Sequence, residues 1–168
     1  MPHFEQAIAA SQGARRYQED AAAVWPHPDA PSALLAVLAD GMGGHVGGAK
    51  ASQLVCEKAI ESFRSSTGET PARLTQALIA ANKAIARTVD EDPALSGMGS
   101  TMIAAVFDST GLEWVSVGDS PLYLFRHSKI TLLNGTGPRG LSTNGVAVSS
   151  RPSTGFNSLI ARIPAVAR

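Results

Sequence analysis

The chain has 168 residues, a length that suits one domain. Hydrophobic residues make up 44% and charged residues 17%, a balance that can bury a core and argues against a disordered chain. Fourteen Lys and Arg offset fourteen Asp and Glu, so no net charge draws the chain toward nucleic acid or an anionic membrane, and the single cysteine, Cys56, excludes a disulfide framework and a cysteine zinc cage.

In chain order, the start Met1-Pro2-His3-Phe4-Glu5 lacks a secretory pattern, and no apolar run approaches the ~20 residues of a membrane span. The expectation is a soluble protein of the reducing cytoplasm. Ala33 to Ala39 is a continuous apolar run ending at Asp40, read as a buried strand. From Lys50 to Ser65, Val55, Cys56, Ala59, Ile60 and Phe63 fall on one side at helical spacing. Thr70-Pro71 predicts a second helix with Thr70 as N-cap and a stripe of Leu74, Leu78, Ala81, Ile85 and Val89. Strands are predicted over 102–107, 113–117, 121–125 and 129–133, with turns at Asp108-Ser109-Thr110-Gly111 and Gly118-Asp119-Ser120. Consecutive strands favour antiparallel meanders over a parallel sheet.

Charge divides the chain. Every acidic residue lies between Glu5 and Asp119, whereas 121–168 hold six basic residues and no acidic one. Beyond Leu133 the sequence is rich in Gly, Ser, Thr and Pro, which is loop chemistry. The expected organisation is a domain over 1–133 followed by an atypical basic tail over 134–168. That tail is either a flexible extension or an altered C-terminus that leaves the fold incomplete. A nucleic-acid-binding or phosphoprotein-binding arm is a lesser alternative for it.

The densest local signal is Asp40-Gly41-Met42-Gly43-Gly44-His45-Val46-Gly47-Gly48, between the predicted strand and helix. Glycines remove side chains where backbone must approach something closely. A phosphate-binding loop of the Walker type needs Lys and Ser or Thr directly after its last glycine, and here Ala49 intervenes. A dinucleotide loop needs a third glycine where Val46 stands. Asp40 facing a bare phosphate would be repulsive unless a cation lay between them. Upstream, Arg15-Arg16-Tyr17-Gln18-Glu19-Asp20 joins a fork-shaped phosphate donor to carboxylates. Asp20 and Asp40 are hard oxygen donors suited to Mg²⁺ or Mn²⁺.

With these residues in view, the chain resembles the metal-dependent Ser/Thr protein phosphatases of the PP2C type, in their bacterial form. Gln12–Asp20 resembles the first motif, Ala39–His45 the metal motif, Gly97–Thr101 the Gly-Ser-Thr element and Val117–Ser120 the Gly-Asp-Ser turn, all in the family's order. The resemblance implies an α+β fold, a four-layer α-β-β-α sandwich with two antiparallel sheets between helices, incomplete here. It implies hydrolysis of phosphoserine and phosphothreonine on phosphoprotein substrates, with Mn²⁺ or Mg²⁺ as cofactor and a Ser/Thr kinase as counterpart. Arg15 would grip the phosphate. Asp40 would bridge two metal ions, and the Gly41 carbonyl would bind one of them. Asp20 and Glu19 would hold the cluster through metal-bound waters. A water between the metals would attack phosphorus in line. Asp119 would be structural or would help hold a further ion. His45 is a candidate proton donor, since Met42 stands where eukaryotic relatives often carry histidine. The Gly-Ser-Thr element would start a core strand and do no chemistry.

Two departures qualify this picture. The family's later acidic motifs have no counterpart, because no aspartate follows Asp119, and the chain is shorter than a complete family domain. Weakened metal binding is therefore expected. The alternatives are a catalytically impaired remnant that binds metal or phosphoprotein, and a nucleotide-binding module using the glycine loop. Cys56 is expected to be packing.

Overall fold

The computed structural model describes residues 5–14, 16–27, 33–44, 46–135 and 158–164, the last segment as backbone only. The elements are β1 (Asp20–Pro26), β2 (Leu34–Met42), α1 (Val46–Ser65), α2 (Thr70–Glu91), a 3-10 turn (Pro93–Leu95), β3 (Gly99–Ser100), β4 (Met102–Asp108), β5 (Gly111–Val117), β6 (Tyr123–Arg126), β7 (Lys129–Leu132) and β8 (Ser158–Pro164). The main sheet runs β1-β2-β4-β5-β8 with β3 also paired to β2, and β6-β7 form a second, two-stranded sheet. Every pairing is antiparallel.

Burial explains why these segments settle where they do. β4, read as one apolar run, is buried from Met102 through Val106 because it is covered on both faces. Toward the helices, Met102, Ala104 and Val106 join Leu35, Val37 and Ala39 of β2, Val55, Cys56, Ala59 and Phe63 of α1, and Leu74, Ala77 and Ala81 of α2. Toward the second sheet, Ala105 joins Leu112, Trp114 and Leu133, with Phe107, Leu122 and Leu124 packed against them. The described residues therefore form a helical layer, a large antiparallel sheet and a smaller sheet on its far side. The expected α+β architecture of facing antiparallel sheets is present, with one of its two helical layers among the described residues.

Several local expectations change. β2 is not buried on both faces: Leu35, Val37 and Ala39 are buried, whereas Leu38, Asp40 and Met42 on the other face are exposed. α1 begins at Val46, four residues before Lys50, because its first turn holds two glycines that disguise helical spacing. Thr70 is already helical in α2; the N-cap is Glu69, which makes no side-chain capping bond. β1 went unread because four of its seven residues are Ala or Pro, which carry little strand signal. Within the basic segment after residue 134, Ser158–Pro164 runs antiparallel to β5 and sets Arg162 opposite Glu113 in register.

Two side chains fasten the helical layer. Arg73 of α2 donates from Nη2 to the Phe63 carbonyl at 2.8 Å, satisfying an orphan acceptor at the end of α1. Its guanidinium also lies 3.9 Å from the centroid of the Phe63 ring. Cys56 is buried in this core, and desolvation pushes its thiol pKa up to about 11. It is a packing residue, as expected. No helix among the described residues is long and apolar enough to cross a membrane.

Candidate active site

The first turn of α1 abuts the end of β2 with backbone against backbone. A Cβ on Gly41 would run into the Gly48 carbonyl, and one on Gly48 would sit 3.1 Å from the Gly41 carbonyl oxygen. The Gly41 N–H donates to the Glu19 carbonyl at 3.0 Å. These glycines thus admit the protein's own backbone. Gly41, Gly43 and Gly48 are used for close approach of the chain to itself, which accounts for these glycines without a bound nucleotide.

This packing sets the acidic residues. In the β1–β2 register, Asp20 stands directly opposite Asp40. Direct antiparallel partners place their Cβ atoms about 4.5–5.5 Å apart on one face of the sheet. Both residues are exposed, on the face of β2 that also carries Leu38 and Met42. Two carboxylates held as neighbours repel each other, and a divalent cation between them turns that repulsion into coordination. The donor set consists of hard oxygens, which fits Mg²⁺ or Mn²⁺. Glu19 behaves differently. A Cβ on Gly48 would meet its Cδ at 3.1 Å and Oε2 at 3.2 Å, so this carboxylate lies against the first turn of α1. There it faces the positive end of the helix dipole. Among the described residues, no three His, Cys, Asp or Glu side chains gather as a metal cage.

The Gly-Ser-Thr element has a larger part than starting a strand. Thr101 interrupts the strand that pairs with β2, separating β3 from β4, although the register is the same on either side. Its N–H donates to the Asp40 carbonyl at 2.9 Å, as regular pairing requires. The return bond is replaced: the Asp40 N–H donates to the Thr101 hydroxyl at 3.0 Å. Ser100 Oγ adds a 3.1 Å bond to the Asp40 carbonyl. Thr101 Oγ1 also lies 2.6 Å from Ser120 Oγ, with both residues buried. Ser120 belongs to the Gly-Asp-Ser turn, so that turn is tied to the backbone of Asp40. Gly118 has φ +92°, and a Cβ there would meet Thr101 Cγ2 at 2.7 Å. Asn134 closes the arrangement, donating to the Ser120 carbonyl and accepting from the Leu122 N–H, each at 2.8 Å.

Asp20 and Asp40 are therefore brought together, with the Gly41 backbone beside them. Asp119 is exposed in the turn that Ser120 anchors. Arg15 and His45 lie outside the described residues. Thr101 and Ser120 were not anticipated as parts of the site. Their only signal was a hydroxyl in each of two short motifs, and hydroxyls are too common to point anywhere.

The chain is similar to known proteins in sequence and fold. Residues 10–152 match the sequence profile of the family Protein phosphatase 2C. The serine/threonine protein phosphatase PstP of Mycobacterium tuberculosis is 43% identical over 100 residues, which is 59% of this chain and 20% of that protein. The serine/threonine phosphatase stp of Listeria welshimeri is 28% identical over 124 residues, covering 71% of this chain and 48% of its own length. Among solved structures, the catalytic domain of PstP in complex with two manganese ions superposes with a TM-score of 0.60 at 38% identity, covering 71% of this chain and 50% of that one. The chain thus spans at most about half the length of these relatives.

Proposed function

The chain belongs to the protein phosphatase 2C family, and from that premise we propose that it is a metal-dependent protein serine/threonine phosphatase. The observation that carries this reading is the Asp20–Asp40 pairing, two carboxylates that the strand register sets directly opposite each other on one exposed sheet face. Asp20 and Asp40 would hold Mn²⁺ or Mg²⁺, the Gly41 carbonyl would be a further oxygen donor, and Glu19 would help order the edge of the site. The manganese in the related PstP domain supports this choice of ion. Once bound, the ions supply positive charge to the phosphate oxygens and lower the pKa of the attacking water. Arg15 takes the phosphate through its planar fork and orients it for in-line attack. His45 is the candidate proton donor to the departing serine or threonine oxygen. Asp119 supports the metal side from its turn. The substrates are phosphoproteins, and a Ser/Thr kinase supplies them in a signalling cycle. The buried, unpaired Cys56 fits a reducing cytoplasm.

One observation favours a second reading. No acidic residue follows Asp119, and the described residues gather no third carboxylate at the pair. The chain then binds metal or phosphoprotein but turns over slowly. Hydrolysis of p-nitrophenyl phosphate and of a phosphothreonine peptide distinguishes the two. The phosphatase reading expects Mn²⁺-dependent turnover that EDTA removes and that Asp40→Asn reduces to background. Manganese binding without turnover establishes the impaired form, and turnover unaffected by Asp40→Asn overturns the site.

A further inference from the structure

We propose that Thr101 is a positioning residue for Asp40, and that its hydroxyl, held by Ser120, couples the Gly-Asp-Ser turn to the metal-binding carboxylate. The inference rests on reading Asp40 as a metal ligand. In a regular antiparallel ladder the Asp40 N–H would bond to a backbone carbonyl of the facing strand. Here a side chain takes that role, at 3.0 Å. A carbonyl is fixed by its own strand, whereas a hydroxyl turns about χ1 and needs something to hold it. Ser120 Oγ at 2.6 Å is that hold. The hydroxyl can do both jobs because it offers one donor and two acceptor sites.

The surroundings leave Thr101 little choice. Its methyl faces Gly118, where any side chain would collide, and its N–H is committed to the Asp40 carbonyl. The carbonyl it would normally offer lies 2.8 Å from Ser100 Oγ and shares that hydroxyl's single proton with the Asp40 carbonyl at 3.1 Å. The break in the strand at residue 101 is thus compensated by hydroxyls, that of Thr101 toward Asp40 and Ser120 and that of Ser100 toward the Thr101 and Asp40 carbonyls. Groups that orient a metal ligand influence affinity without touching the ion.

The test uses the full chain with Thr101→Val, which keeps the shape and removes the hydroxyl, and Thr101→Ser, which keeps the hydroxyl. Mn²⁺ binding is measured by calorimetry, and backbone amide exchange by NMR. Thr101→Val should weaken Mn²⁺ binding by ~10–100-fold, while Thr101→Ser restores it. The Asp40 amide should exchange faster in Thr101→Val while those of Leu35 and Val37 stay protected. Unchanged Mn²⁺ affinity in folded Thr101→Val overturns the proposal, as does equal weakening in both variants. If the unmodified protein takes up no Mn²⁺, the reading of the site fails, and the exchange data still decide: an unchanged Asp40 amide refutes the hold. Should Thr101→Val not fold, Ser120→Ala carries the test, with weaker Mn²⁺ binding and faster Asp40 exchange expected and no change in either contradicting it.

Discussion

The two faces of β2 are built on opposite principles. Toward α1 and α2, Leu35, Val37 and Ala39 are almost fully buried among apolar side chains. On the other face, Leu38, Asp40 and Met42 are exposed, and the end of the strand is held by backbone contacts and hydroxyls. Stability therefore resides on one face and the candidate chemistry on the other, nine residues of one strand serving both. Like charges are tolerated where packing contributes least, because the core opposite supplies the free energy that their repulsion costs.

Substitutions can test how separate the faces are. The largest stability effect should come from the helical side. Leu74→Ala, at a side chain with no exposed surface, should cost about 2–5 kcal/mol by loss of transfer energy and creation of a cavity. Urea unfolding measures it, and a loss below 1 kcal/mol would mean that α2 is loosely seated. Cys56 probes the same face through pH. Its thiol is raised from 9.0 to about 11 by burial. The folded protein therefore retains a proton that the unfolded chain releases between those values. The stability this contributes is complete below pH 9 and is lost as pH rises toward 11. The loss attributable to Cys56 is about 2–3 kcal/mol. Unfolding of Cys56→Ala should lack this share of the alkaline decline, and identical profiles would contradict a dry environment for the thiol. The smallest effect belongs to the open face. Asp20→Asn removes one of two opposed charges, so the metal-free protein should gain about 0.2–1 kcal/mol while Mn²⁺ stabilises it less than the parent. Thermal melts with EDTA and with Mn²⁺ read both. A large loss of metal-free stability would show that Asp20 serves the fold.

Much of the fold was legible where local pattern and burial agree. β4 through β7 follow their apolar runs, and the stripe through Leu74 and Ala81 faces the core. β1 was silent because alanine fits a strand only when a neighbour covers it. The exposure of Leu38 could not be read either, since a continuous apolar run does not say which face is covered. The start of α1 was hidden for a similar reason: Gly47 and Gly48 oppose a helix in isolation, yet Gly48 is what lets Gly41 and Glu19 approach.

By itself, the amino-acid sequence determined the chemistry available: carboxylates at positions 20 and 40, glycines wherever a chain must come close, an acidic body and an acid-free end. The tertiary structure alone decided that residues twenty apart become direct partners, that Glu19 turns to the helix, and that a threonine hydroxyl replaces a carbonyl beside Asp40. The reason is physical. Residue type sets what an atom can bind, but strand register and backbone approach set which atoms meet, and both depend on the whole packed sheet.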